Sequence, residues 1–202
     1  MPSLYSIVFD PFLRDLRIYN TNFALRNHCH KALDVCCGTG DQIFFYAKEG
    51  IASVGIDMNP QMIKEAQEKK RKGKFDNTLF QLGDASSLPF GDNAFDFASI
   101  TLGLHEMKEE KRKKTISSLK RVVKKDGFLL LADFQVPLPK NPLSLLLHSI
   151  EYLAGSENYA RFKNYLQKGG LSAVLHQNNL EKKSQSFFLA DLIELNIIIN
   201  NN

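Results

Sequence analysis

The sequence predicts an α/β fold in which helices cover both faces of a doubly wound, mostly parallel sheet. Short apolar runs alternate with segments of helical periodicity through the middle of the chain, and glycine, asparagine and proline separate them. The last of these runs, residues 128–134, is apolar enough to be buried on both faces. Alternating strands and helices form parallel sheets that bind ligands beyond the carboxyl ends of the strands.

Five strands and three helices are predicted before residue 135. The strands are residues 32–36, 53–57, 79–82, 95–100 and 128–134. The helices are residues 42–49, 60 to about 72, and 109–123. Gly50 and Gly73 are placed to end the first two helices, and Asn59-Pro60 supplies an N-cap and a first-turn proline for the second.

After residue 134 the pattern changes. Prolines at 137, 139 and 142 mark a connection, and residues 143–153 and 157–168 predict two more helices, the second ended by Gly169-Gly170. Residues 184–199 fit either an antiparallel hairpin or an amphipathic helix. We favour the hairpin, which makes the sheet seven-stranded. The asparagine-rich end, residues 196–202, is expected to fray.

The composition is that of one ordinary globular domain. The chain has 202 residues, of which 44% are apolar and 24% charged, and a net charge of +4 that permits an anionic partner without requiring one. Its start lacks the pattern of a signal peptide, and its three cysteines cannot all pair, so we expect a reduced, cytoplasmic protein. The apolar runs at 127–132 and 143–147 are too short to cross a bilayer.

The strongest functional signal lies between the first strand and its helix. Gly38 and Gly40 let the backbone approach a ligand closely and turn into a helix whose amino end points at it. Asp57 ends the second strand, where a carboxylate accepts hydrogen bonds from ribose hydroxyls. Asp84 follows the third strand, where a carboxylate accepts an adenine amino group. Acids at successive strand ends therefore predict an adenosine-shaped slot.

These segments resemble the class I S-adenosylmethionine-dependent methyltransferases, and among them the ubiquinone/menaquinone-biosynthesis C-methyltransferases. The matching pieces keep the order and spacing of the family, cover roughly residues 31–134, and are residues 33–41, 54–62, 83–90, 95–107 and 119–133. The resemblance implies a Rossmann-like fold with S-adenosyl-L-methionine as cofactor and S-adenosyl-L-homocysteine as product. It also implies one domain, divided into N-terminal cover helices (1–30), a cofactor-binding core (31–134), a helical acceptor cover (135–180), and a terminal hairpin and tail (181–202).

The resemblance further implies the cofactor-binding residues. They are Asp34, Cys36, Gly38, Thr39, Gly40, Asp57, Met58, Met62, Asp84, Ala85 and Thr101. In this scheme the loop with Asp34 holds the methionine end, Asp57 the ribose and Asp84 the adenine edge. Met58 and Met62 lie beside the adenine, although core packing explains them as well. Cys36 stands where many relatives have glycine, so slight crowding is expected there.

His105 is the candidate catalytic residue. The sulfonium methyl is already activated, so the protein mainly has to align the acceptor and exclude water. A hydroxylated aromatic acceptor would profit from a base, and His105 follows the fourth strand in the loop that faces the methyl group in this architecture. The alternative is that His105 only orients its loop. Quinone-methylating relatives often have arginine and asparagine where this chain has His105-Glu106.

Aromatic residues outside the core segments predict the acceptor cover. They are Tyr5, Phe9, Phe12, Tyr19, Tyr152, Tyr159, Phe162 and Tyr165. Together they favour a small apolar acceptor, aromatic or quinone-like and lipid-like in character, although for any single ring we favour core packing. Membrane contact is expected to be peripheral at most.

Other functions are disfavoured by particular residues. Ile43 occupies the third glycine position of a dehydrogenase fingerprint, and the spacing of residues 28–30 relative to Cys36 and Cys37 fits no usual metal site. The basic runs at 69–74 and 108–125 are typical of solvated helix faces, so nucleic acid is not the expected partner. A non-catalytic cofactor-binding protein, or a methyltransferase for another small molecule or RNA, remains the alternative.

Overall fold

The computed structural model describes residues 13–201, so Tyr5, Phe9 and Phe12 lie outside the described residues. The helices are α1 (Arg14–Arg26), α2 (Asp41–Lys48), α3 (Pro60–Gly73), α4 (Glu109–Val122), α5 (Pro142–Leu153), α6 (Ser156–Lys168) and α7 (Gly170–Gln177). The strands are β1 (Lys31–Val35), β2 (Ala52–Asp57), β3 (Thr78–Leu82), β4 (Phe95–Thr101), β5 (Val123–Phe134), β6 (Lys182–Phe188) and β7 (Ile193–Ile199).

The sheet has seven strands in the order β3-β2-β1-β4-β5-β7-β6. The first five are parallel, and β7 runs antiparallel to both β5 and β6. This confirms the predicted doubly wound sheet with a terminal hairpin and rules out the helix considered for residues 184–199. The chain winds outward from β1 to β3 and then returns to β4, so the loops after β1 and β4 diverge and open a crevice.

The core lies on both faces of the central strands. Residues 129–132 of β5 are fully buried, as their apolar run predicted. Tyr46 of α2 packs edge-on against Phe97 of β4, with ring centroids 5.1 Å apart. Its hydroxyl donates to Ser99 Oγ at 3.2 Å. This hydrogen bond joins two buried polar groups, one on α2 and one on the central strand β4.

The prediction misplaced the end of α3 and the start of β5, and it missed α7. Gly73 is the last helical residue of α3, and Lys74 takes the left-handed conformation with φ 53°. Glycine is needed at 73 because an added Cβ would lie 2.3 Å from the ring of Phe75. Strand β5 starts five residues before the predicted strand, with the expected turn inside it at Asp126 (φ 61°). Helix α7 was not predicted, because its glycine start looked like a break.

The expectation that the asparagine-rich end frays is wrong for residues 196–200. Asn196 and Asn200 are both fully buried. The side-chain amide of Asn200 donates to the carbonyls of Lys120 and Val123, at 2.8 and 2.9 Å. Carbonyls at a helix end have no partner within the helix, so an amide from another element satisfies them. Asn200 thereby ties the end of β7 to the end of α4.

Asn200→Ala should lower the free energy of unfolding by about 1–3 kcal/mol, because it leaves buried carbonyls without a donor. Urea denaturation followed by circular dichroism measures the loss. Asn201→Ala, at an exposed position, is the matched control and should change stability little. Equal midpoints for the two variants would contradict this role of Asn200.

Candidate functional site

The loop after β1 is built from residues in left-handed conformations. Cys36 has φ 56°, Gly38 φ 53° and Gly40 φ 83°. These values curl the chain so that the backbone N–H of Gly38 points at the neighbouring strand tip, where it donates to Asp57 Oδ2 at 2.9 Å. Helix α2 then begins at Asp41 with its amino end at the crevice.

Asp57 is held by backbone donors on both carboxylate oxygens. Gly38 N–H donates to one oxygen, and Asn59 N–H donates to the other at 2.8 Å. Each carboxylate oxygen can accept two hydrogen bonds, so both keep a free acceptor position. A half-buried carboxylate fixed in this way is prepared to accept from two neighbouring hydroxyl groups.

Asp34, in the neighbouring strand β1, is buried, and its surroundings disfavour the ionised form of its carboxyl group. Its Oδ1 accepts from Ser99 Oγ at 2.6 Å. Burial raises the pKa of Asp34 to about 7, although the Ser99 hydrogen bond and the charge of Arg17 oppose the rise. A cationic group placed against Asp34 would favour its ionised form.

Two adjoining cavities open at the carboxyl ends of the strands, with volumes of about 510 Å³ and 420 Å³. The predicted residues that line the first are Asp34, Cys36, Gly38, Thr39, Asp57, Met62 and Thr101. Those that line the second are Cys36, Asp57, Met58 and Ala85. Cys36, Asp57, Gly103 and Glu106 line both cavities, so the two form one elongated site with Asp57 at its middle.

The sequence comparisons place this site in a known family. Residues 32–127 match the family model described as a methyltransferase domain. A demethylmenaquinone methyltransferase of Renibacterium salmoninarum is 38% identical over 107 residues, which are 53% of this chain and 42% of that protein. A ubiquinone/menaquinone biosynthesis C-methyltransferase of Pectobacterium carotovorum is 35% identical over 114 residues, 54% of this chain and 45% of that protein. The chain spans less than half the length of these relatives.

Solved structures agree on the fold. A Pyrococcus horikoshii protein has a TM-score of 0.69 at 18% identity, covering 96% of this chain and 97% of its own. Magnesium protoporphyrin IX methyltransferase from Synechocystis, with bound SAH, has a TM-score of 0.64 at 19% identity, covering 92% of this chain and 82% of its own. Residues 32–127 thus match a methyltransferase domain, and the chain has the Rossmann-like fold of the solved methyltransferases.

Two residues predicted to bind the cofactor lie outside the lining of both cavities in the methyltransferase domain. Gly40 is required for packing, because an added Cβ would lie 2.5 Å from the ring of Phe80. Asp84 accepts from Ser86 N at 2.9 Å and from Lys111 Nζ at 3.0 Å. Burial acts to raise the pKa of Asp84, but these hydrogen bonds outweigh it and hold the pKa below its usual range. An adenine amino group would have to share Asp84 with Lys111.

The two methionines predicted to bind the cofactor line different cavities. Met58 is 58% exposed, so core packing does not explain it, and its sulfur lies 2.8 Å from Lys111 Nζ. It lines the second cavity with Ala85, as expected for the adenine end. Met62 is half-buried and lines only the first cavity.

The structure does not bring the His105 side chain to either cavity of the methyltransferase domain. His105 is fully buried, with Nδ1 2.7 Å from Asp133 Oδ1 and Nε2 3.6 Å from Glu151 Oε1. Burial alone would lower the pKa of His105, but the Asp133 charge and hydrogen bond and the Glu151 contact raise it to about 10. An enclosed imidazole that is already protonated cannot take a proton from an acceptor. The geometry therefore supports the alternative role, in which His105 orients its surroundings.

The wall of the first cavity is aliphatic rather than aromatic. Ile150, Leu153 and Ala154 of the α5 region line it. The predicted aromatic residues within the described part of the chain line neither cavity, and Phe162 and Tyr165 are fully buried in the core. The expectation of an aromatic wall from these residues is therefore wrong.

Several polar residues of the site have no sequence motif. Arg17, Gln42, Glu106, Glu151 and Asn158 line the first cavity. Glu106 follows His105, and Gln42 lies in the first turn of α2 directly after the Gly38 turn, whereas Arg17, Glu151 and Asn158 come from helices that reach the site only through tertiary packing. Within residues 13–201, no group of three or more His, Cys, Asp or Glu residues is arranged to hold a metal ion, and no helix is long and apolar enough to span a bilayer.

Cys36 occupies a hollow that Gly103 provides. A Cβ added at Gly103 would lie 2.8 Å from Cys36 Cβ and 2.9 Å from its sulfur. The crowding expected from Cys36 is thus relieved by the absence of a side chain at 103. Both residues line both cavities.

Gly103→Ala should lower the free energy of unfolding by about 1–3 kcal/mol through overpacking against Cys36. In the double variant with Cys36→Gly, most of that loss should be recovered, because the clashing side chain is removed. Urea denaturation of the two single variants and the double variant measures both effects. A double variant no more stable than Gly103→Ala would show that Cys36 is not the source of the clash.

The buried histidine should make stability depend on pH. The pKa of His105 is about 10 in the folded protein, against an ordinary value of 6.5 for histidine. The stabilisation is therefore complete below about pH 6.5 and is lost as the pH rises toward 10. Wild-type urea midpoints should fall across this range, and His105→Gln, which cannot titrate, should show a shallower fall. Parallel pH profiles would contradict the assignment.

Proposed function

We propose that this chain transfers the methyl group of S-adenosyl-L-methionine to a small, aromatic or quinone-like acceptor by in-line displacement. One observation carries the proposal: the tips of β1 and β2 bring Asp34, Asp57 and the Gly38 turn to a single elongated site. The names of the two relatives, which act in quinone biosynthesis by their descriptions, support the acceptor class.

Each part of the site is suited to one part of the cofactor. Asp57 would accept from the ribose hydroxyls, for which both its oxygens keep a free position. Asp34 would bind the methionine ammonium group, and Met58 and Ala85 would flank the adenine. When bound, the cofactor supplies an activated methyl group, so the residues of the chain have to orient the acceptor and exclude water.

The region of α5 forms the acceptor end of the proposed site. Its aliphatic residues Ile150, Leu153 and Ala154 offer an apolar wall on the first cavity, opposite the adenine end. An apolar wall suits a flat or lipid-like body. A cytoplasmic enzyme with peripheral access to membranes fits this acceptor, and the net charge of +4 does not oppose it.

Asp57→Ala should weaken binding of S-adenosylmethionine and S-adenosylhomocysteine at least tenfold, because charge-assisted hydrogen bonds to the ribose are lost. Isothermal titration calorimetry measures both affinities. Asp92→Asn, at an exposed carboxylate bonded to Arg121 and outside the lining of both cavities, is the control and should bind as wild type. Folded wild-type protein that binds neither ligand would refute the proposed function.

Transfer itself is tested with methyl-labelled S-adenosylmethionine and a panel of reduced naphthoquinones, simple phenols and amines. We expect label in the naphthohydroquinone fraction above that in the amine fraction. Tight cofactor binding without transfer to any compound of the panel would favour the non-catalytic alternative.

A further inference from the structure

Glu151 is a buried carboxylate that nonetheless lines the first cavity. It lies in α5, is 3% exposed, and is flanked in the cavity wall by Ile150 and Leu153. A carboxylate in such apolar surroundings is costly unless a compensating charge lies nearby. The only cationic group that the structure places beside it among the described residues is His105, whose Nε2 is 3.6 Å from Glu151 Oε1.

His105 is itself rigidly held. Its Nδ1 bonds to Asp133 at 2.7 Å, and Asp133 in turn accepts from the backbone N–H groups of Leu104, His105 and Phe134. The ring of Phe134 packs against the imidazole with centroids 4.7 Å apart. Nε2 of His105 has no hydrogen-bond partner among the described residues. The imidazole is thus fixed with its second nitrogen directed at the Glu151 carboxylate.

The position of Glu151 separates it from the cofactor-binding residues. It does not line the second cavity, where the adenine residues Met58 and Ala85 lie. In the first cavity it belongs to the α5 wall, whereas Asp34 and Asp57 come from the strand tips on the sheet side. The α5 wall therefore combines apolar side chains with one fixed carboxylate that can accept a hydrogen bond, at the end of the site away from the proposed adenine position.

The charges of the residues that line the first cavity also restrict the charge of the methyl acceptor. Among the described residues, its lining carries the acids Asp34, Asp41, Asp57, Glu106 and Glu151 but only one basic side chain, that of Arg17. Arg17 lies 3.8 Å from Asp41, which also contacts Lys69 at 2.8 Å. An acceptor with its own negative charge would therefore meet a cavity wall in which acidic side chains outnumber basic ones. A neutral or cationic acceptor with an O–H or N–H group would find a hydrogen-bond acceptor instead.

We propose that Glu151 binds and orients the methyl acceptor, and that the acceptor is a neutral or cationic molecule carrying a hydroxyl or amine donor on an apolar body. His105 and Asp133 are positioning residues: Asp133 holds the His105 ring in place, and this cationic ring fixes the Glu151 carboxylate and offsets its charge. The inference rests on the proposed function, since it assigns the acceptor end of the same site.

Three probes with the same ring separate donor, neutral and anionic chemistry: 1-naphthol, 1-methoxynaphthalene and 1-naphthoate. Calorimetry is performed on full-length protein saturated with S-adenosylhomocysteine. We expect 1-naphthol to bind at least tenfold more tightly than 1-methoxynaphthalene and 1-naphthoate to bind most weakly. Equal affinity for the three probes, or no binding of 1-naphthol, would overturn the inference.

Isosteric variants locate the effect. Glu151→Gln should abolish the preference for 1-naphthol over 1-methoxynaphthalene and weaken the discrimination against 1-naphthoate, while S-adenosylhomocysteine binding stays within twofold of wild type. Glu110→Gln, at an exposed carboxylate on α4, is the control. Loss of the preference in Glu106→Gln but not in Glu151→Gln would assign the donor contact to Glu106 and overturn the inference.

A double-mutant cycle tests the positioning role. His105→Gln should reduce the 1-naphthol preference in a Glu151 background but have no further effect in Glu151→Gln, because both act through the same contact. Additive losses would show that His105 acts only on stability and would overturn the positioning role. Absence of S-adenosylhomocysteine binding by folded wild-type protein would instead refute the proposed function, so the two failures are distinguishable.

Discussion

The hydrogen bond from Gly38 N–H to the Asp57 carboxylate is the constraint on which the site depends. It joins the tips of two neighbouring parallel strands and holds the loop after β1 in its left-handed curl. The same curl directs the amino end of α2 to the crevice and leaves acceptor positions of Asp57 free. Without this contact the Asp57 carboxylate, at the centre of the site, would lose one of its two backbone donors.

Sequence reasoning succeeded where the structure is decided by local pattern. The strands, the N-cap at Asn59 and the positions of Asp34 and Asp57 follow from apolar runs, turn chemistry and the edge at which parallel strands end. The terminal hairpin was harder, because residues 184–199 fit two periodicities. Its pairing with β5 decided between them, and no local rule contains that information.

Sequence reasoning did not foresee partners that are distant in sequence. Lys111 from α4 bonds to Asp84, whose contact with the adenine edge stays a prediction. His105 was expected in the open crevice, but Asp133 from β5 and Glu151 from α5 enclose it. Asn200 was taken as part of a tail because asparagine is typical of loops. Its amide instead donates to buried carbonyls at a helix end, one of them that of Lys120, 80 residues away.

The raised pKa of Asp34 would affect how a cationic ligand group binds beside it. A carboxyl group with a pKa of about 7 is protonated in a substantial fraction of molecules at neutral pH. Capture of an ammonium group requires the anion, so loading would expel a proton into the surrounding water. Under the proposed function, binding of the cofactor should therefore weaken as the pH falls below about 7.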